Sequence, residues 1–158
     1  MRYVYPCVIV RDEEEAETTG REAYVATFPD VPPAITGGLS LDEVHGRLQD
    51  CLEVALSIFI DNGEPLPEPS DPEPSQLLVS VSPAAAAKFA LYTAMRDQGV
   101  SVADLGRRLG IRESKARRLF DRRHVSRPAE VERALKALGR HLVVEDQPSS
   151  SVPSPAVT

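Results

Sequence analysis

Apolar and polar residues follow two rhythms along this chain, first a short alternation and then a helical period. The run Arg2 to Val10 (RYVYPCVIV) is dense in β-branched and aromatic residues and predicts a strand, with Pro6 pointing to an edge position or a bulge. Asp12 to Glu17, closed by Thr19 and Gly20, reads as a solvated hairpin loop. Ala23 to Phe28 alternates again, Tyr24, Ala26 and Phe28 against Val25 and Thr27, and predicts a second strand. Pro29, Asp30 and the Pro32, Pro33 pair break it, and a short third strand, Ala34 to Thr36, ends at Gly37 and Gly38. At Ser40 the period lengthens. Ser40 with Glu43 forms a capping-box signature, in which Glu43 reaches back to the Ser40 amide. Leu41, Val44, Leu48, Cys51, Leu52, Ala55, Leu56 and Phe59 then make one apolar stripe that stops at Asn62 and Gly63. This long helix is expected to lie across the strands.

Glu64 to Ser75 (EPLPEPSDPEPS) holds five prolines and four acids, the composition of an extended connector. Leu77 to Val81 predicts a fourth strand, so residues 1–82 form a β-β-β-α-β unit. Ser82 and Pro83 start a helix that reaches Gln98 with Phe89, Tyr92 and Met95 on one face. Ser101 caps a short helix carrying Val102, Leu105 and Leu109, and Gly110 ends it where a positive φ is cheap. A second short helix, from about Arg112 to Asp121, turns Ala116, Leu119 and Phe120 inward and leaves its basic residues outside. Gly106 sits where the two helices approach closely. Pro128 begins a last helix, His141 to Glu145 (HLVVE) reads as a short strand, and residues 147–158 read as a disordered tail. The spacing of Gly106, Gly110 and Ala116 resembles the helix-turn-helix of the phage-repressor (Xre-like) class, whose second helix enters a DNA major groove.

Charge sharpens the division. Residues 1–82 carry 4 Lys/Arg against 16 Asp/Glu, a balance of −12, while residues 83–146 carry 14 against 8, a balance of +6. The basic part can displace counterions from phosphates, and the acidic part suits a basic protein. Cys7 and Cys51 lack a second Cys or His at metal spacing and read as reduced core residues, and no apolar run is long enough for a membrane span, which makes a cytoplasmic protein the expectation. Neither a cofactor motif nor a phosphate-cradling glycine loop is present in the sequence.

Taken together, YPCVIV, AYVATFPDVPPAITGGLSLDEV, the helix ending in DNGEPLPEPS, and RALKALGRHLVV resemble the HicB-type antitoxins of bacterial type II toxin-antitoxin systems over residues 1 to about 145. Pro33 and Ala34 depart from the Gly-Cys or similar pair usual there. The resemblance implies an α+β protein. A partial ribonuclease H-like N-terminal domain (residues 1–82, with the connector at 64–75) would mask a small HicA-type ribonuclease toxin. A C-terminal DNA-binding domain of helix-turn-helix or ribbon-helix-helix type (residues 83–146) would dimerise and bind palindromic operator DNA, and the helical pattern of residues 83–139, followed by a short strand, favours helix-turn-helix. Such toxins are usually basic, which nominates Asp12, Glu13, Glu14, Tyr24, Phe28 and Asp30 as toxin contacts. For DNA, Glu113, Ser114, Lys115 and Arg118 suit base edges, Arg117, Arg122 and Arg123 suit phosphates, and Ser101 can offer its backbone N–H to a phosphate.

Two other readings stand beside this one. The chain could be an orphan transcription factor whose N-terminal domain senses a ligand or a protein. A ribonuclease H-like sheet also invites a search for metal-holding carboxylates, for which Asp12, Asp30, Glu43 and Asp50 are the candidates, but they fall in turns or on an outward helix face. His45, His124 and His141 have no Ser, Cys or acid placed for nucleophilic work, so the expectation is a protein that is not an enzyme.

Overall fold

The computed structural model describes residues 2–146, so the tail expected at 147–158 lies outside the described residues. The fold is α+β. Strands β1 (Val4–Arg11), β2 (Tyr24–Thr27), β3 (Ile35–Gly38) and β4 (Leu77–Ser80) form one antiparallel sheet in the order β3-β2-β1-β4. The helices are α1 (Glu13–Thr19), α2 (Leu41–Asp61), α3 (Pro83–Asp97), α4 (Val102–Leu109), α5 (Glu113–Arg118) and α6 (Pro128–Ala137).

β1 is central but staggered. Its first half, Val4 to Cys7, pairs with β4, and its second half, Val8 to Arg11, pairs with β2. Pro6 therefore has a ladder partner on one side alone, which is how a strand in the middle of the order tolerates a residue that cannot donate.

One face of the sheet is sealed by α2. Tyr3, Tyr5, Cys7, Ala26, Phe28, Val79 and Val81 meet Val44, Leu48, Leu52, Ala55 and Leu56 in a first core. Tyr5 and Phe28 are fully buried, each worth roughly 1.5–3 kcal/mol of apolar transfer. Local chemistry fixes both ends of α2. The Ser40 hydroxyl accepts from the Glu43 amide at 3.2 Å, while the Glu43 carboxylate takes the Leu39 amide at 2.8 Å, one residue before the partner the sequence suggests. At the far end Gly63 adopts φ 71° and the Glu64 amide returns to the Phe59 carbonyl.

A second core joins α3, α4, α5 and α6 through Leu91, Met95, Leu105, Leu109, Ala116, Leu119, Val131 and Leu135. Helix α3 serves both cores. Ala85, Phe89 and Tyr92, at helical spacing, face the sheet, and Ala87, Leu91, Ala94 and Met95 face the other helices, so Met95 does not share a face with Phe89 and Tyr92 as the sequence suggests. Phe120 packs against both groups.

Two elements differ from expectation. The acidic segment after β1 is helix α1, not a loop: Asp12 accepts from the Glu15 amide at 3.0 Å, three glutamates occupy the first turn, and Gly20 closes the helix at φ 68°. These are favourable end effects, and α1 buries no residue, so an apolar stripe could not announce it. His141 to Asp146 form no strand, because no other strand among the described residues lies beside them. The connector at 64–75 is extended, and it is tied down. The Tyr5 hydroxyl donates to the Pro67 carbonyl at 2.8 Å, Tyr92 to that of Glu64 at 2.8 Å, and Ser70 donates its amide and hydroxyl to Asp30.

Candidate functional sites

The α4–α5 pair is positioned by close backbone approach. A Cβ on Gly106 would stand 2.9 Å from the Ile111 carbonyl oxygen, so the sequence expectation for this glycine holds. Gly110 takes φ 66°, and the Ile111 amide bonds the Gly106 carbonyl at 2.9 Å, which turns the chain sharply into α5. Ala116 and Leu119 anchor α5 in the second core. Its opposite side is exposed and carries Glu113, Ser114, Lys115, Arg117 and Arg118, with Arg107, Arg108 and Arg112 from the flanking turn and helix. Arg117 bonds Glu113 at 3.0 Å within α5, and Lys115 lies 3.6 Å from Glu130 of α6. Such exposed pairs are weak and readily exchanged for phosphate. Arg108, Arg112 and Arg118 form no ion pair among the described residues, so α5 displays a cationic ridge.

Three residues expected on that ridge, Ser101, Arg122 and Arg123, have partners within the chain. The Ser101 amide donates to Asp104 at 3.3 Å and its hydroxyl shares that carboxylate at 2.7 Å, so the backbone donor assigned to a phosphate is already used inside a capping box. Hydrogen bonds from the Ser101 hydroxyl and amide, and then from Arg107, hold the Asp104 carboxyl below its usual range. Arg122, 33% exposed, reaches Asp50 of α2 at 3.3 Å. Arg123 bonds Asp121 at 3.2 Å and approaches Asp61 of α2 at 3.5 Å. Both arginines thus tie the turn after α5 to the acidic half of the molecule. Arg122 and Arg123 follow α5 closely in sequence, but nothing local there signals a partner on α2, far back along the chain.

Lys88 escaped sequence reading altogether. It is 7% exposed on α3 and its ammonium donates to the Asp121 carbonyl at 2.6 Å and to that of His124, holding the turn after α5 from beneath. Burial pushes its pKa down, against the opposing charge of Asp121. A lone lysine inside the alanine-rich run AAAAKFA was the available sign.

The other candidate surface lies on the sheet. Cross-strand partners share a face, so the side away from α2 presents Val8 and Val10 from β1, Val25 and Thr27 from β2, Ile35 from β3 and Leu78 from β4. Val10, Ile35 and Leu78 are exposed. A solvated antiparallel face is normally polar, and this one is aliphatic. Asp12, Glu13 and Glu14 lie at the start of α1, directly beyond the β1 end of that face, with Glu13 and Glu14 exposed. Asp30 is held by Ser70. Phe28 is 1% exposed and faces α2, and Tyr24 packs partly against the same core, so the outward residues of β2 are Val25 and Thr27 rather than the aromatics.

The four carboxylates considered for metal binding are dispersed. Asp12 caps α1, Asp30 holds Ser70, Glu43 bonds Leu39 and Arg47, and Asp50 meets Arg122. Among the described residues no three His, Cys, Asp or Glu side chains converge as metal ligands would. Both cysteines are free, and burial pushes the Cys7 thiol up to about 12. No helix among the described residues is long and apolar enough to cross a membrane.

A sheet closed on one side by a long helix is joined through α3 to a basic four-helix unit, which leaves two separate candidate surfaces. Residues 4–90 match the family profile of the HicB-like antitoxins of bacterial toxin-antitoxin systems, and the chain belongs to that family. It is 33% identical to Antitoxin HicB 2 of Photorhabdus laumondii over 138 residues, which span 87% of this chain and 92% of that one. Antitoxin HicB of Pseudomonas fluorescens is 36% identical over 116 residues, 73% of this chain and 80% of the relative. Antitoxin HicB of Escherichia coli K12 is 29% identical over 119 residues, 75% and 86% of the two chains.

Proposed function

We propose that this antitoxin neutralises a small, basic HicA-type ribonuclease toxin through its acidic half and represses its own operon through its basic half. The carrying observation is the separation of surfaces: a cationic ridge on α5 and an aliphatic sheet face beside the acidic helix α1, with no residue shared between them. Arg118, Glu113, Ser114 and Lys115 read base edges, and Arg117 with Arg107, Arg108 and Arg112 meets phosphates. Two copies bind a palindromic operator, because one short recognition helix reads too few base pairs. Val10, Val25 and Ile35 provide the apolar centre of the toxin contact, while Glu13 and Glu14 supply the charge that guides a cationic partner. The reading requires neither catalysis nor a cofactor, and it places the protein in the cytoplasm beside its toxin and its operator.

Co-expression with the adjacent reading frame tests the first activity. Growth should be restored and the two proteins should purify together, and Val10→Asp with Ile35→Asp should abolish both effects while changing stability by no more than about 0.5 kcal/mol per site. Mobility shift on the DNA upstream of the gene tests the second. A chain that neither rescues growth nor retards that DNA would overturn the proposal.

A further inference from the structure

We infer that Asp50 and Asp61 of α2 stand in for two DNA phosphates, so that the acidic half of the chain holds Arg122 and Arg123 off the operator and limits how tightly the basic half binds it. The inference deepens the operator-binding reading above and rests on it. The two acids are about three helical turns apart, roughly 16 Å along one side of α2. The turn after α5 meets that side. Arg122 reaches Asp50 at 3.3 Å, and its neighbour Arg123 reaches Asp61 at 3.5 Å.

The turn is not free to follow its arginines onto DNA. Lys88 holds the Asp121 and His124 carbonyls from beneath, the Ser126 hydroxyl donates to the Arg118 carbonyl at 3.1 Å, and Phe120 packs against both cores. Arg123 is shared between two acids, since Asp121 accepts from its amide at 2.9 Å and from its Nε at 3.2 Å while Asp61 meets another guanidinium nitrogen. Asp61 is the last residue of α2, where the negative end of the helix disfavours a carboxylate and no basic residue of the last turn offsets it. Arg123 supplies that compensation from another element. Lys115 and Arg117 differ, because their acids, Glu130 and Glu113, belong to the helical half itself. Each exposed pair alone is weak. A phosphate that drew Arg122 and Arg123 away, however, would leave Asp50 and Asp61 unpaired beside a polyanion, and that repulsion adds to the loss of the pairs. Carried on the same chain, the two acids compete at a fixed local concentration whatever the amount of protein.

Fluorescence anisotropy of a labelled duplex from the DNA upstream of the gene, titrated with the full chain at about 50 to 200 mM salt, reads this competition. Asp50→Asn with Asp61→Asn should bind more tightly than the parent at the low end and lose about tenfold more affinity across the range, the steepening by about 1.8 units of log–log slope that two recruited phosphate contacts give. The melting temperature of this variant should match the parent's. Adding Arg122→Ala and Arg123→Ala to it should return the slope to the parental value. Asp71→Asn with Glu73→Gln, which removes the same charge from exposed positions of the connector, should leave the slope unchanged. A parental slope in the Asp50, Asp61 variant, an equal steepening in the connector variant, or a steep slope that survives the added alanines would each overturn the inference and leave the operator reading in place. A parent chain and an Asp50, Asp61 variant that both ignore the duplex would overturn the two together.

Discussion

The sheet half and the helical half bury their apolar residues to different degrees. In the helical half α3, α4, α5 and α6 surround Leu105 and Leu135, and the outward side of α5 is charged apart from Ser114. In the sheet half α2 and one face of α3 cover one side of four strands, and the other side keeps Val8, Val10, Val25, Ile35 and Leu78 in view of solvent. The two surfaces are suited to different partners. A charged ridge on a complete core recognises by electrostatics and hydrogen bonds, whereas an uncovered aliphatic face is an unfinished core that gains from another protein's apolar surface.

The strongest challenge to this two-part picture is at the shared helix. Phe89→Ala should cost about 3–5 kcal/mol, and both halves should unfold together in urea, followed by fluorescence and far-ultraviolet circular dichroism. Two separate transitions would show that the cores are independent. Arg118→Ala should weaken operator binding by about 1–3 kcal/mol and relax sequence preference, with toxin capture unchanged. Gly106→Ala pushes a methyl group into the Ile111 carbonyl and should lower stability by about 1–3 kcal/mol, read as a lower melting temperature.

Smaller effects sharpen the border between the halves. Arg122→Ala removes an exposed ion pair to Asp50 and should change stability by less than about 1 kcal/mol. It should leave the salt dependence of DNA binding almost unaltered, where a phosphate contact would flatten it by about one unit of slope. The least effect is expected at Asp104. Its folded carboxyl titrates below the ordinary value of 3.8, so its contribution is complete above about pH 4 and disappears as the pH falls through the depressed value. Thermal unfolding curves of the parent chain and Asp104→Asn should therefore differ at pH 6 and converge toward about pH 2.

Signals carried within a few residues were readable from sequence. The stripe and caps of α2, the Gly110 turn and the crowding at Gly106 appear where local spacing puts them. The helical state of Glu13–Thr19 was missed because its stabilisation comes from its ends and not from a buried face. Strand propensity in HLVVE expresses itself only beside another strand, and none lies there among the described residues. The candidate DNA surface was legible in outline because exposure follows the helical period. The destinations of Arg122, Arg123 and Lys88 were not, since each depends on a partner brought close by tertiary folding. The sheet face was misassigned for a related reason. Alternation in β2 separates Tyr24 and Phe28 from Val25 and Thr27, but only the position of α2 decides which set is inside.

The double duty of α3 also bears on how the molecule can be divided. The edge-on contact of Tyr3 with Phe89, centroids 5.8 Å apart, and the Tyr92 bond to Glu64 mean that a fragment ending at Ser82 would lose part of its own interior wall. The family match agrees, since it runs to residue 90 and ends partway along this helix. An N-terminal fragment that keeps its shape must therefore retain the helix through Asp97, and one C-terminal helical unit could be exchanged for another only by grafting after that point.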